Sequence, residues 1–158
     1  MKIRQVPAEL APLALLLIAD PSSERVYQYL RSGTIFVGEE DGVVVAVAVL
    51  ESGKAEAELK NIAVAEARQR AGFGQQMLAH ILKYAAKTGV SRVTVGTGNS
   101  SLGQLAFYQK CGFRVIGVIP DYFADYQPPI VEAGIACRDM IRLAMDLNKR
   151  PDVQSYLS

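Results

Sequence analysis

The sequence predicts an α+β fold with a mixed, mostly antiparallel central sheet, one central parallel strand pair and about four flanking helices. Three observations lead there. Asp41-Gly42 joins two apolar runs as a hairpin turn, which makes those strands antiparallel. A long amphipathic helical run separates two later strand-like runs, and a crossover of that length implies parallel pairing. With 158 residues, 50% of them hydrophobic, the chain fits a single domain, 1–158, with a real core.

The elements follow in order. Lys2 to Val6 reads as a short strand and Leu10 to Ala19 as a helix stopped by Asp20-Pro21. Ser22 or Ser23 then caps a second helix through Tyr27 and Leu30 towards Gly33. Ile35 to Gly38 and Val43 to Leu50 form the hairpin, and the second, apolar without alternation, belongs near the middle of the sheet. Glu56 to Val64 is the next strand. From Gln75, residues Met77, Leu78, Ile81, Leu82 and Ala85 follow helical spacing, with Gln76, His80, Lys83 and Lys87 opposite, so His80 reads as a surface residue. Gly89 stops this helix, and Val90 to Val95 is a strand. A turn at Gly96 to Ser101 leads into a helix through Phe107-Tyr108 that ends at Gly112. Phe113 to Ile119 and Ile141 to Leu147 close the chain as strands around an irregular segment rich in proline, aromatic and acidic residues.

Composition excludes several functions. Seventeen basic and 16 acidic side chains leave a net charge of +1, far from the footprint of a nucleic-acid-binding protein. No run is long enough to span a membrane, so no membrane partner is expected. The apolar stretch after Lys2 and Arg4 superficially resembles a signal peptide, but Glu9 and Pro12 interrupt it and no small-residue cleavage site follows. Cys111 and Cys137 fall in separate elements with no metal-type spacing to the one histidine, so no metal is expected and a cytoplasmic chain with free thiols is the economical reading. Nothing in the sequence speaks against a homodimer.

The segment Gln69-Arg70-Ala71-Gly72-Phe73-Gly74 stands where strand turns into helix. Glycines there let an anion approach the backbone, and the first amides of a helix lack internal acceptors. A Walker-type loop would need a Gly-Lys-Ser/Thr ending, which is absent. A dinucleotide fingerprint would need a third glycine where Met77 stands, and Gly96-Thr97-Gly98 has Ser101 in that place.

With Val64 ahead of Gln69, Gly72 and Gly74, and Asn99, Tyr108 and Gly112-Phe113 downstream in order, the chain resembles the GNAT superfamily of acyl-CoA-dependent N-acetyltransferases. The match is close over Leu59 to Phe113 and looser over the remaining element order. It implies a GNAT-like domain in which the parallel pair splays, with acetyl-CoA as cosubstrate. The pyrophosphate would sit on the amides of Arg70, Ala71, Gly72, Phe73, Gly74 and Gln75 beside Gln69, with the helix N-terminus and the Arg70 charge favouring an anion. Pantetheine would pair with the backbone of Ile62, Ala63 and Val64, whose amides could polarise the thioester carbonyl. Asn99 stands further from Tyr108 than the family pattern has it; it is either a pantetheine contact or a turn and capping residue.

The resemblance implies transfer to a primary amine by direct attack in a ternary complex, since no cysteine lies in the motif to carry an acyl group. Tyr108 takes the family's position for the acid that protonates the departing thiolate. Glu58, six residues before Val64, takes a position where some members hold a base; it shares a strand face with Glu56 and Lys60, so a solvated polar face is the competing explanation. Asp121, Tyr122, Phe123, Asp125, Tyr126 and Glu132 would suit a cationic amine, and equally an exposed loop with aromatic anchors. A small-molecule acceptor is preferred to a protein, with acylation of a protein N-terminus or lysine as a further reading. The alternative is a catalytically weak acyl-CoA-binding sensor or interaction module with the same fold.

Overall fold

A computed structural model describes residues 1–148 of the chain; residues 149–158 of the expected domain lie outside the described residues. It divides into two compact units, one ending at Ser91 and one beginning at Arg92.

In the first unit, β1 (Lys2–Val6), α1 (Leu13–Ala19) and α2 (Ser23–Ser32) precede β2 (Thr34–Glu40), β3 (Val43–Ser52), β4 (Glu56–Val64) and α3 (Phe73–Lys87). The strands lie in the order β1-β2-β3-β4 with every neighbour antiparallel. Asp41 and Gly42 both adopt positive φ, 51° and 78°, between the paired Glu40 and Val43. That is the backbone a two-residue hairpin requires, and it sets the register of β2 on β3. β3 is buried without interruption from Val45 to Leu50, as expected for a strand paired on both sides.

The hairpin alternates between two apolar layers. Ile35 and Val37 of β2 join Leu16 of α1 and Val26 of α2 in one cluster. Phe36, on the other face, meets His80 and Tyr84 of α3 edge-on, with ring centroids 5.2 and 5.0 Å away. Met77, Leu78, Ile81, Leu82 and Ala85 are all buried, so the helical stripe read from the sequence is the packed face of α3. Burying a Leu or Ile side chain is worth about 1.5–3 kcal/mol, which anchors this helix firmly. His80 is half-buried against Phe36, a correction to its reading as a surface residue. Its place beside the apolar stripe, one residue before Ile81, is what draws it in.

The first two helix starts compare differently with expectation. α1 begins at Leu13 because Pro12, its N-cap, crowds the preceding residue out of the helical region, and Ala11 is extended at φ -64° and ψ 131°; Ala8–Leu10 form a separate 3-10 turn. α2 begins as expected, with the Arg25 amide donating to Ser22 Oγ at 3.3 Å.

In the second unit, β5 (Arg92–Gly98), α4 (Leu102–Lys110), β6 (Arg114–Ile119), β7 (Val131–Glu132), β8 (Ile135–Ala136) and β9 (Met140–Asp146) follow in order. Here β9 lies between β5 and β6, antiparallel to both. β5 starts two residues later than the apolar run suggested and extends through Gly98, so Gly96 and Gly98 are strand residues and not turn residues. β7 and β8 pair as a small hairpin with Ala133 and Gly134 at φ 52° and 76°, inside the segment expected to be irregular.

Candidate active site

The route from β4 into α3 is tightly specified. After Val64 a 3-10 turn, Glu66–Arg68, reverses the chain. The side chain of Gln69 then donates to the Val64 carbonyl at 3.0 Å, closing the loop back onto the strand end. Arg70 and Gly72 both take positive φ, 63° and 84°. Gly72 is the N-cap of α3, which therefore starts at Phe73, two residues before the expected Gln75.

Gln76 is the first residue whose amide bonds inside the helix, donating to the Gly72 carbonyl at 3.1 Å. The amides of Phe73, Gly74 and Gln75 have no such acceptor, and no side chain caps them. A Cβ on Gly72 would meet nothing within 4 Å, so the space beside the N-cap is open. Gln69, Arg70 and Ala71 are exposed on its rim. Three free amides at the positive end of a fifteen-residue helix, beside an arginine, form an anion cradle.

β4 alternates strictly, with Ala57, Leu59, Asn61 and Ala63 buried and Glu58, Lys60, Ile62 and Val64 half-buried. Glu58 is not isolated: its Oε2 lies 2.9 Å from Lys60 Nζ, which is also 4.0 Å from Glu51 Oε1. Glu51 and Glu58 are register partners, so the lysine sits between two carboxylates that would otherwise repel across the strands. Glu51 further accepts from Ser32 Oγ at 2.7 Å.

The buried Asn61 was not anticipated. Its Nδ2 donates to the Leu16 carbonyl and to Tyr29 Oη, both at 2.9 Å, and Tyr29 Oη in turn donates to Asp20 Oδ2 at 3.4 Å. An asparagine amid strand residues of alternating polarity was the available signal, and its side-chain oxygen is buried without an acceptor role.

In the second unit, Tyr108 lies on α4, 4% exposed, with its ring packed between Phe107 and Phe113 at centroid distances of 5.4 and 5.6 Å. Burial, with a smaller contribution from the neighbouring Cys111 thiol, pushes its phenol well above the ordinary tyrosine range. It is therefore a hydroxyl that holds its proton at any physiological pH. Cys111 is raised too, by burial, and is inert as a nucleophile for that reason.

Asn99 ends up in a clamp. Its Oδ1 accepts from the amides of Arg138 and Asp139 at 2.8 and 3.0 Å, and its Nδ2 donates to the Ala136 carbonyl at 3.0 Å. These bonds fasten the strand end of β5 to the segment before β9. These long-range bonds differ from a local turn or a helix cap, since the N-cap position of α4 is held by Ser101.

The acidic and aromatic segment is likewise engaged with its own chain. Asp121 Oδ1 lies 2.6 Å from Arg138 Nε, and Glu132 Oε1 accepts from Ser100 and Ser101 hydroxyls at 2.9 and 3.0 Å. Phe123 stacks edge-on with Tyr122 and Tyr126, at 4.9 and 5.4 Å. The three rings meet at Phe123 and are half-buried.

No cluster of candidate metal ligands occurs among the described residues, and no helix there is long and apolar enough to cross a membrane.

The uncapped start of α3 after β4 and the buried Tyr108 on α4 are the features to which the resemblance points, and comparison with known proteins identifies the family. The model of the acetyltransferase (GNAT) family matches residues 9–113, and the chain belongs to that family. A curated relative, an uncharacterized N-acetyltransferase of Bacillus subtilis (strain 168), is 45% identical over 138 residues, covering 84% of this chain and 87% of its own. Among solved structures, an IAA acetyltransferase from Bacillus cereus superposes with a TM-score of 0.88 at 46% identity, covering 92% of this chain and 98% of that one. A GNAT family acetyltransferase from Elizabethkingia anophelis, with acetyl-CoA bound, gives 0.88 at 41% identity, with 92% and 97% covered. The fold class is the expected one: a GNAT fold with four helices and a mixed, mostly antiparallel sheet containing one parallel pair.

Proposed function

We propose that the protein is an N-acetyltransferase that moves an acetyl group from acetyl-CoA to a primary amine by direct attack in a ternary complex. The observation that carries this reading is the start of α3. Its three free amides, the left-handed Gly72 and the open space beside it suit the pyrophosphate of CoA, with Gln69 and Arg70 on the rim. The acetyl-CoA bound to the Elizabethkingia relative supports the same donor. Ile62, Ala63 and Val64, immediately upstream, are assigned the pantetheine arm.

The chemistry divides between two side chains. The acceptor arrives as an ammonium and must lose a proton before it can attack; Glu58 is assigned that role, directly or through water. Tyr108 is assigned the acid, because a phenol whose proton affinity is raised stays protonated until a thiolate develops beside it. Asn99 is assigned the clamp and not the pantetheine contact, since its amide is committed to Ala136, Arg138 and Asp139. The acceptor is assigned to small amines.

A panel of primary amines with acetyl-CoA and a free-thiol readout tests this. Thiol release that depends on both amine and enzyme is the expected result. Stabilisation by CoA with no turnover on any amine would leave a binding module in its place.

A further inference from the structure

The acceptor chemistry assigned above needs an amine held on a carboxylate, and β4 already contains one. Lys60 Nζ lies 2.9 Å from Glu58 Oε2, both side chains about a third exposed or less, so the ammonium is partly desolvated and held in one place. The pairing of β4 with β3 shifts between Val49 opposite Asn61 and Leu50 opposite Leu59, which makes Lys60 the extra residue of a bulge. A bulge re-aims the side chain that occupies it. Ile62, the first residue assigned to pantetheine, lies two positions further along the same strand, about 7 Å by strand rise, so acylation requires the flexible lysine stem to turn from Glu58 towards it.

We infer that Lys60 is a site of self-acetylation, an internal acceptor for the same donor. This rests on the proposed use of acetyl-CoA and of Glu58 as base. Glu58 takes one proton from the Lys60 ammonium, and the freed nitrogen attacks the thioester carbonyl. The N–C bond forms, the C–S bond breaks, and nitrogen loses its second proton as the thiolate gains one, leaving an amide and free CoA. Glu58 returns its proton to solvent.

The modification has a consequence at the same place. Neutral acetyl-lysine no longer separates Glu51 from Glu58, so the two carboxylates face each other across β3 and β4 without a cation between them. Glu58 is thereby returned to the external acceptor.

The test is intact-mass and peptide mass spectrometry of the full chain incubated with acetyl-CoA. A mass gain of about 42 Da on Lys60 is expected, at a rate independent of protein concentration. In Glu58→Gln the rate should fall about tenfold or more, with thermal melting used to verify that the variant folds. In Lys60→Arg, which keeps the cation, the gain should disappear. An unmodified Lys60 under conditions where an external amine is acetylated would overturn the inference and leave the donor reading intact. So would an equal rate in folded Glu58→Gln, which marks spontaneous acylation. Absence of both CoA stabilisation and transfer to any amine would instead bring down the reading on which the inference rests.

Discussion

Gln69 Nε2 donates to the Val64 carbonyl at 3.0 Å, so the first residue of the glycine loop is tied to the last residue of β4. One side-chain bond thus couples the strand assigned to pantetheine with the amides assigned to pyrophosphate. Removing it in Gln69→Ala should raise the KM for acetyl-CoA several-fold and leave kcat nearly unchanged, because a neutral hydrogen bond is worth about 1 kcal/mol. Steady-state kinetics at saturating amine checks this; a fall in kcat at constant KM would contradict it.

Gly72→Ala puts a Cβ on a residue at φ 84°. The left-handed backbone costs an alanine roughly 1–2 kcal/mol, and the methyl group enters the open space beside the N-cap of α3. A drop of a few degrees in melting temperature is expected, together with at least tenfold weaker CoA binding by calorimetry. Full-strength binding in a destabilised variant would mean that the anion sits elsewhere.

Tyr108→Phe keeps the ring between Phe107 and Phe113 and removes only the hydroxyl. Turnover should fall by about 100-fold while CoA affinity holds within a factor of about three, as general-acid loss predicts. Unchanged turnover would remove Tyr108 from the acid role.

Asn61→Leu strips the Leu16 carbonyl and Tyr29 hydroxyl of a buried donor. Losing these two buried bonds should cost about 1–3 kcal/mol in urea unfolding. A neutral result would show that water takes the place of the amide.

The proton affinity of His80 is lowered by burial, and further by the charges of Lys83 and Lys87. A lowered folded value means that the unfolded chain binds the proton more readily, so stability is held above the unfolded value of about 6.5 and lost as pH falls through the folded one. Urea midpoints measured from pH 7.5 down to 5 should decline more steeply for the wild type than for His80→Gln. Parallel slopes would assign the acid sensitivity to other groups.

The two compact units were not equally legible in the amino-acid sequence. Local rules settle most of the first: Asp41-Gly42 specifies its turn, the run from Met77 to Ala85 specifies its packed face, and Ser22 specifies its cap. Pro12 also obeys a local rule, and the late start of α1 follows from the extended backbone it imposes on Ala11. The early start of α3 is different, because Phe73 and Gly74 carry no helix-start signal and the left-handed Gly72 decides it. The partners of Asn99, Asn61 and Glu132 lie 30 or more residues away, beyond any pattern of spacing. The Glu58–Lys60 pair was half legible: alternation puts both on one face, and their contact needs the bulge as well.

The clamp made by Asn99 divides the second unit into a part that can vary and a part that cannot. Because one amide pins Ala136, Arg138 and Asp139 to the end of β5, changes of length or composition upstream, between Ile119 and Val131, stop at that rivet. β9 and its pairings with β5 and β6 lie beyond it. Asp121 and Phe123 reach back to Arg138 and Asp139, so any sequence exchanged into this segment has to keep those two attachment points, and only the residues between Phe123 and Ile130 are left to vary.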